Sequence, residues 1–369
     1  MLIIITVYTV LLYKRKPCRR HKAVDAIVPA YNEEACLETS LLPLLKNPYI
    51  NKVICVNDGS TDRTSKVLAN MLKKWPNLIA VNQENTGKGG ALMNGLNYTT
   101  KEYVFLTDAD TYVPINDGLG YLLAEIERGA DAVGGVPSSN LNHAKLLPHI
   151  RATVKLPMIA MKRTFQQWLG GAPFIISGSC GMFKVSVLKK NGFSDRTKVE
   201  DLDLTWTLIS RGYKVRQTNR CIVYPQECNT LYDEWKRWRR WITGYAVCMK
   251  IHKKLLLTRY GIFSIFPMVL VVIYAFFTYI ATFIRSPFSD FNYILLFFPS
   301  FWLIIVLSIG AFSAFYHKSW KLIPLAPFAV FYVFLAYAIW IIYGIKAFFT
   351  GKEPIRDKPT RYTNVVERT

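Results

Sequence analysis

Between Ile262 and Phe349 the chain carries three long apolar stretches, Ile262–Ile284, Ile294–Tyr316 and Leu322–Phe349. A helix needs roughly 20 apolar residues to cross a bilayer, and each stretch meets that length. Each is therefore long enough to cross a bilayer as a helix. A further apolar run, MLIIITVYTVLLY, opens the sequence. With about 13 residues it falls short of the ~17 minimum and reads as a clipped or interfacial anchor helix over residues 1–13. A signal peptide is the competing reading, but the basic cluster follows the apolar run instead of preceding it, and no small-residue cleavage site is present.

Charge supports the membrane reading. The 369 residues hold 46 Lys+Arg against 25 Asp+Glu, a formal net charge of +21. Such an excess suits a polyanion, either nucleic acid or a membrane surface, and its distribution decides between them. KRKPCRRHK (14–22) follows the N-terminal apolar run, a second basic set lies between Trp235 and Arg259, and the tail GKEPIRDKPTRYTNVVERT is basic again. Basic flanks beside apolar spans belong to an inner-membrane (plasma-membrane) protein whose charged parts stay in the cytosol. A lipid bilayer is therefore the expected partner, and nucleic acid is not. SPFSDFNY (286–293) would lie outside and HKSWK (317–321) inside. One crossing by Leu322–Phe349 would then strand the basic tail outside, against the charge rule, unless the segment starts along the interface, as Pro324 and Pro327 allow. The seven cysteines are scattered and never spaced C-x-x-C, which argues against a disulfide framework or a zinc site.

The segment between the apolar ends has a regular rhythm. Apolar, β-branched runs at Val24–Val28, Lys52–Asn57, Leu78–Val81 and Tyr103–Thr107 alternate with helix-like stretches near Glu34–Leu45, Asp62–Lys74 and Gly89–Asn97. Strand and helix at this spacing predict an α/β domain with a parallel sheet and right-handed crossovers. Ligands of such sheets bind beyond the carboxyl ends of the strands. Three polar clusters fall there: PAYNEE (29–34), NDGSTD (57–62) and DAD (108–110). A dinucleotide site is set aside, because G-x-G-x-x-G is missing after the first strand.

Asp108 and Asp110 end a buried strand, where residues two apart face the same side. Two carboxylates so placed repel each other unless a cation lies between them. Magnesium commonly takes one or two carboxylates together with substrate phosphates, so the pair fits a Mg2+ or Mn2+ ion that also grips a diphosphate. A solvated turn or helix cap is the plainer alternative. A second D-x-D, Asp201/Asp203 within VEDLD, could equally be an acidic first turn complementing a helix dipole.

VPAYNEE, VNDGS, NTGKGGALMNG, LTDAD, ISGSCGMFK and VEDLDLTWTLISRGYKV, in this order, resemble the membrane-bound family-2 glycosyltransferases. Within them the chain is most similar to the processive synthases of poly-N-acetylglucosamine, hyaluronan, chitin or cellulose. The resemblance implies a GT-A fold, a Rossmann-like nucleotide-diphospho-sugar transferase domain, fused to interfacial and transmembrane helices. It further implies that Tyr31, Glu33 and Asp58 hold the uracil and ribose of a UDP-sugar, that Asp108 contacts the nucleotide, and that Asp110 binds the metal. Lys88 would pair with phosphate, and Asp201, beside Glu200, would be the general base of an inverting displacement. Ser179, Cys180 and Gly181 would lie at the acceptor end. In the family's Gln-x-x-Arg-Trp motif, Arg240 would meet the diphosphate and Trp241 the acceptor sugar. Arg237 stands where the family has Gln. An arginine cannot accept a hydrogen bond as an amide can, so acceptor or diphosphate contacts must differ. Placed at 100° per residue, Trp235, Trp238, Trp241, Ile242 and Tyr245 share one face, predicting an amphipathic helix at the membrane interface.

The expected organisation is an anchor helix (1–13), a cytosolic glycosyltransferase domain (23–227), amphipathic interface helices (228–260), transmembrane helices (261–350) and a basic tail (351–369). The expected activity is metal-dependent transfer from a UDP-sugar, UDP-N-acetylglucosamine foremost, to a growing polysaccharide or a glycolipid acceptor, with export and an accessory membrane subunit as further expectations. The alternatives are a nonprocessive transferase acting on a lipid-phosphate carrier, and a noncatalytic membrane receptor or assembly subunit.

Overall fold

A computed structural model of the protein describes residues 16–194, 196–266, 291–353 and 362, the side chains of 291–302, 305, 330, 333 and 334 excepted. The expected anchor helix, most of Ile262–Ile284 and most of the basic tail lie outside the described residues.

The elements alternate from the start: β1 (Val24–Ala30), α1 (Leu37–Lys46), β2 (Ile50–Asp58), α2 (Thr64–Leu72), β3 (Leu78–Gln83), α3 (Gly87–Leu96), β4 (Tyr103–Leu106) and the short β5 (Thr111–Tyr112). Then follow α4 (Gly118–Glu127), β6 (Ala132–Pro137), α5 (Leu146–Gly170), β7 (Gly181–Lys184), α6 (Val185–Asn191), α7 (Glu200–Ser210), β8 (Val215–Pro225) and α8 (Leu231–Ile251). Strand order is β3-β2-β1-β4-β7-β6-β8-β5. The four strands expected from sequence, β1 to β4, are mutually parallel. The sheet as a whole is mixed, because β7 runs antiparallel to both β4 and β6. The parallel order expected for those four strands holds, and the antiparallel β7 lies beyond the stretch they cover. The GMFK strand is only four residues long and is reached through a helix, so no local alternation announces its direction.

Central strands of such a sheet are covered on both faces and read as continuous apolar runs. Val24, Ala26, Ile27 and Val28 of β1 and Val53, Ile54, Cys55 and Val56 of β2 are fully buried. On one side Leu37, Leu41 and Leu44 of α1 share a helical face against the sheet; on the other, α7 presents Leu202, Trp206 and Leu208. Each such side chain contributes about 1.5–3 kcal/mol of burial. The indole of Trp206 donates to the Phe174 carbonyl at 3.0 Å, satisfying its polar atom inside the core. Asp25, also buried, accepts from Asn51 and from the Thr100 and Lys101 amides. That carboxylate fixes the entry to β4, whose far end carries Asp108 and Asp110.

Beyond α8 come α9 (Phe291–Tyr316), a 3-10 segment with Pro324 and Pro327 (Trp320–Ala329), α10 (Val330–Ile339) and α11 (Ile345–Thr350). Among the described residues no helix is long and apolar enough to cross a membrane. Of α9, described side chains begin only at Leu303. The expected tryptophan face of α8 is not open to a bilayer. Trp235 packs edge-on to Tyr343, and Trp238 lies against Trp241 and Tyr332. The amphipathic pattern is real, but its apolar side is covered by the helices that follow.

Candidate active site

The carboxyl ends of β1, β2 and β4 meet at one edge. After β1, the Tyr31–Glu34 turn is zipped to the loop after β2. Asn32, in the left-handed region at φ 52, accepts from the Thr61 amide, while the Asn32 and Glu33 amides donate to Ser60 and Thr64. Glu33 is buried, and the Cys36 thiol donates to its carboxylate at 3.1 Å. Asp58 ends β2 and accepts from the Thr86 and Gly87 amides at 2.8 and 3.0 Å and from Gln83 at 2.8 Å. It therefore satisfies orphan donors at the start of α3, and a carboxylate retains further lone pairs for a ligand. Gly59 makes this turn possible: its φ is +74, and a Cβ there would stand 2.9 Å from the Asn85 amide.

Lys88, in the first turn of α3, joins the two acidic motifs. Its amine lies 2.5 Å from Asp108 and 3.7 Å from Glu200. Lys88, Gly178, Glu200 and Asp201 line a common cavity. The Asp201 carboxylate accepts from the Gly178 amide at 2.9 Å and from the Leu202 amide. Burial pushes its pKa above the usual carboxylate value, neighbouring Glu200 adds to that rise, and Lys88 and the Gly178 N–H oppose it. Asp203, two residues on, has a different environment. Burial alone would raise its pKa, but His252 at 2.7 Å and the Arg196 guanidinium hold it below the usual value. The two acids of VEDLD are thus shifted in opposite directions, Asp201 upward and Asp203 downward.

Asp110 is buried at the end of the DAD turn, where Thr111 donates to its carboxylate at 3.2 Å and its carbonyl accepts from the Gln226 amide. Among the described residues no group of three or more His, Cys, Asp or Glu is arranged to hold a metal. Asp108 and Asp110 supply carboxylate oxygens, the donor type that a hard cation takes together with substrate phosphates.

The Ser177–Gly181 loop closes the cavity. Thr107 donates to the Ser179 carbonyl, and Gly181 opens β7. Cys180 faces inward: its Sγ lies 3.7 Å from that of Cys221, and both are buried. Its thiol packs in the core. Sequence reasoning missed Arg163. From α5 this buried guanidinium donates to Ser177 at 2.8 Å and to the Gly135 carbonyl. No motif marks it, because α5 itself was not read from the sequence.

Arg240 and Trp241 lie on α8, which reaches the site through Gly244: a Cβ there would stand 2.6 Å from Val199, the residue before Glu200. Arg237, in place of the family glutamine, is committed elsewhere. It pairs with Glu227 at 2.8 Å and with Glu234. Arg151 joins the same two carboxylates and Lys155 reaches Glu227 at 2.5 Å. The Trp241 ring lies within 5.3 Å of the Arg151 guanidinium and 5.4 Å of that of Arg237. The substituted position is therefore absorbed into a buried ionic cluster that supports Trp241.

The model of the family described as Glycosyl transferase family 2 matches residues 25–192. A protein of Escherichia coli (strain K12) described as "Uncharacterized glycosyltransferase YaiP" is 64% identical over 358 residues, covering 96% of this chain and 90% of that protein. The poly-beta-1,6-N-acetyl-D-glucosamine synthase of Staphylococcus aureus (strain COL) is 30% identical over 228 residues, and the matched part spans 60% of this chain and 54% of the synthase. The mannosyltransferase PcManGT from Pyrobaculum calidifontis, solved in complex with GDP-Man and Mn2+, matches with a TM-score of 0.55 at 20% identity, over 95% of this chain and 99% of that one. The fold is the α/β GT-A fold.

Proposed function

The chain belongs to glycosyltransferase family 2, and from that premise we propose that it is an inverting, metal-dependent synthase of the membrane. It transfers sugar from a UDP-sugar, UDP-N-acetylglucosamine foremost, to a growing β-linked polysaccharide. The observation that carries this reading is the cavity that Asp201 shares with Lys88, whose amine pairs with Asp108 at the end of β4 and with Glu200 beside Asp201. Asp201 takes the proton of the acceptor hydroxyl while the new bond forms at the anomeric carbon and the bond to the diphosphate breaks on the opposite face. Lys88 sets positive charge beside the departing phosphates. Asp108 and Asp110 would hold Mg2+ or Mn2+, which when bound neutralises charge on the leaving nucleotide. Tyr31, Glu33 and Asp58 line the end of the sheet where a nucleoside would lie, and the choice of donor follows the similarity to the poly-N-acetylglucosamine synthase.

Membrane attachment is supported by exposed apolar side chains on the C-terminal helices. Ile304, Trp320, Phe328 and Phe349 are 65%, 68%, 62% and 73% exposed, a cost in water that lipid removes. A second reading, single addition to a lipid-phosphate carrier, is favoured by Arg237. Its ion pairs leave no amide acceptor at the position of the family glutamine.

Incubation of the full chain with Mg2+ or Mn2+ and a panel of sugar nucleotides tests both readings. UDP release with a ladder of products supports the synthase, a single glycolipid supports the second reading, and release of GDP alone overturns the UDP assignment. Asp110→Ala should raise the metal concentration for half-maximal turnover by more than the about 10–100-fold that outer-layer partners cost. Gly178→Ala should keep the fold yet lower kcat by up to about 10²-fold, since misplacement of about 1 Å suffices for that. A Cβ at 178 would meet the Lys88 amine at 2.5 Å, and thermal melting beside nucleotide release separates the two effects.

A further inference from the structure

The helix that carries Asp201 begins without a cap of its own. Its N-cap residue is Val199, which offers no side-chain acceptor, so the orphan amides of the first turn need partners from elsewhere. The N-cap amide of Val199 is taken by Thr197, and the loop that carries Thr197 is held from the far end of the chain. Glu353 accepts from the Thr197 hydroxyl and from the Lys198 amide, each at 2.6 Å. The Thr197 oxygen in turn accepts from the Val199 amide at 3.3 Å. With its proton given to Glu353, the hydroxyl presents its lone pairs to Val199, and the two bonds strengthen each other. Thr197 is buried, while the bond from the Lys198 amide to Glu353 lies at the surface.

Glu353 is brought there by a defined path. α11 lies along α8, where Lys250 donates to the Phe349 carbonyl at 2.8 Å. Gly351, in the left-handed region at φ +71, ends α11 and returns its amide to Ala347. Two residues later the carboxylate meets the loop in front of Glu200 and Asp201.

We infer that Glu353 is a positioning residue of the active site, holding the Thr197–Val199 approach so that Asp201 keeps its place beside Gly178 and Lys88. The inference rests on Asp201 as the base. Glu353 touches neither donor nor acceptor, and its contribution is to the orientation of the proton acceptor.

Glu353→Ala in the full chain should lower kcat for nucleotide release by about 10- to 100-fold and leave the donor KM within about twofold, because misplacement of about 1 Å at a catalytic group costs on that scale. Glu353→Gln, which still offers one acceptor oxygen, should recover part of the loss. Thr197→Val removes the same relay from its other side, so the double variant should be no slower than the slower single variant. Hydrogen exchange supplies a readout independent of turnover: amides 198–202 should exchange faster in Glu353→Ala, and those of β1 and β2 should not. Unchanged exchange at 198–202, or a kcat equal to that of the unaltered chain, overturns the inference. If the unaltered chain turns over no sugar nucleotide while exchange at 198–202 still accelerates in the variant, the transferase reading fails and the anchoring by Glu353 stands.

Discussion

Asp201→Asn is expected to lower kcat by about 10²–10⁴-fold, the usual worth of a positioned general base, with little change in donor KM. The fold should survive. The amide still accepts one of the two bonds now made by the Gly178 and Leu202 amides, and the lost bond is offset by removal of a buried charge. A stability signature should accompany the loss. Burial, then Glu200, raises the Asp201 pKa above its unfolded value, so the folded chain holds this proton more tightly. Asp201 therefore favours the fold at acid pH, and that contribution falls as pH rises from the unfolded carboxylate value through the raised one. Asp201→Asn should erase that part of the pH dependence of Tm. The same titration predicts an acid limb of kcat lying above the ordinary Asp range, absent from whatever activity remains in the variant. Parallel pH–rate and pH–Tm series on both chains check this; retention of full kcat would remove Asp201 from the mechanism.

Glu227→Ala should be the most destabilising single change in the protein's polar interior. The Glu227 carboxylate faces Arg151, Lys155 and Arg237, and its side chain is 1% exposed. Burial alone would raise its pKa, but the three cations together hold it far below the usual range. Removing one partner of a buried ionic cluster costs about 3–5 kcal/mol, which for a chain of this size lowers Tm by roughly 5–15 °C. Lys155, already pushed down to about 8 by burial against the pull of Glu227, then sheds its proton more readily and softens the loss at high pH. The sign with pH is fixed. A depressed carboxylate pKa contributes stability above its unfolded value, near 4.3, and that contribution is lost as pH falls toward the folded one. The variant and the parent chain should therefore differ most in Tm near neutrality and converge in acid. Because Arg151 and Arg237 also flank Trp241, the variant should lose acceptor-dependent turnover beyond its loss of stability.

The sequence made the donor side legible because its signals are local. Asp58, Lys88, Asp108 and Asp110 each follow or precede a strand of obvious apolar character, and parallel order then brings those ends together. The antiparallel β7 was not legible, since GMFK is too short to show alternation and its pairing with β4 and β6 is non-local. α5 escaped for a related reason. LLPHIRATVKLPMIAMKRTFQQWLG contains an internal Pro157 and mixes cations through its buried face, with Arg151 and Arg163 both inside. Those arginines are buried because carbonyls, hydroxyls and carboxylates from distant segments receive them, which no window of sequence reveals. The tryptophan stripe of α8 gave the correct period and the wrong neighbour: an amphipathic face says that something apolar covers it, and here Tyr332 and Tyr343 do.

The end of the chain does not leave the catalytic domain behind. Glu353 is bonded to the approach to α7, and Tyr362 exchanges backbone hydrogen bonds with the side chain of Gln226, next to the DAD turn. Should the apolar stretches between Arg259 and Glu353 traverse a bilayer, they must do so an even number of times, because Arg259 is bonded to Leu169 and Glu353 to Thr197 of the same domain.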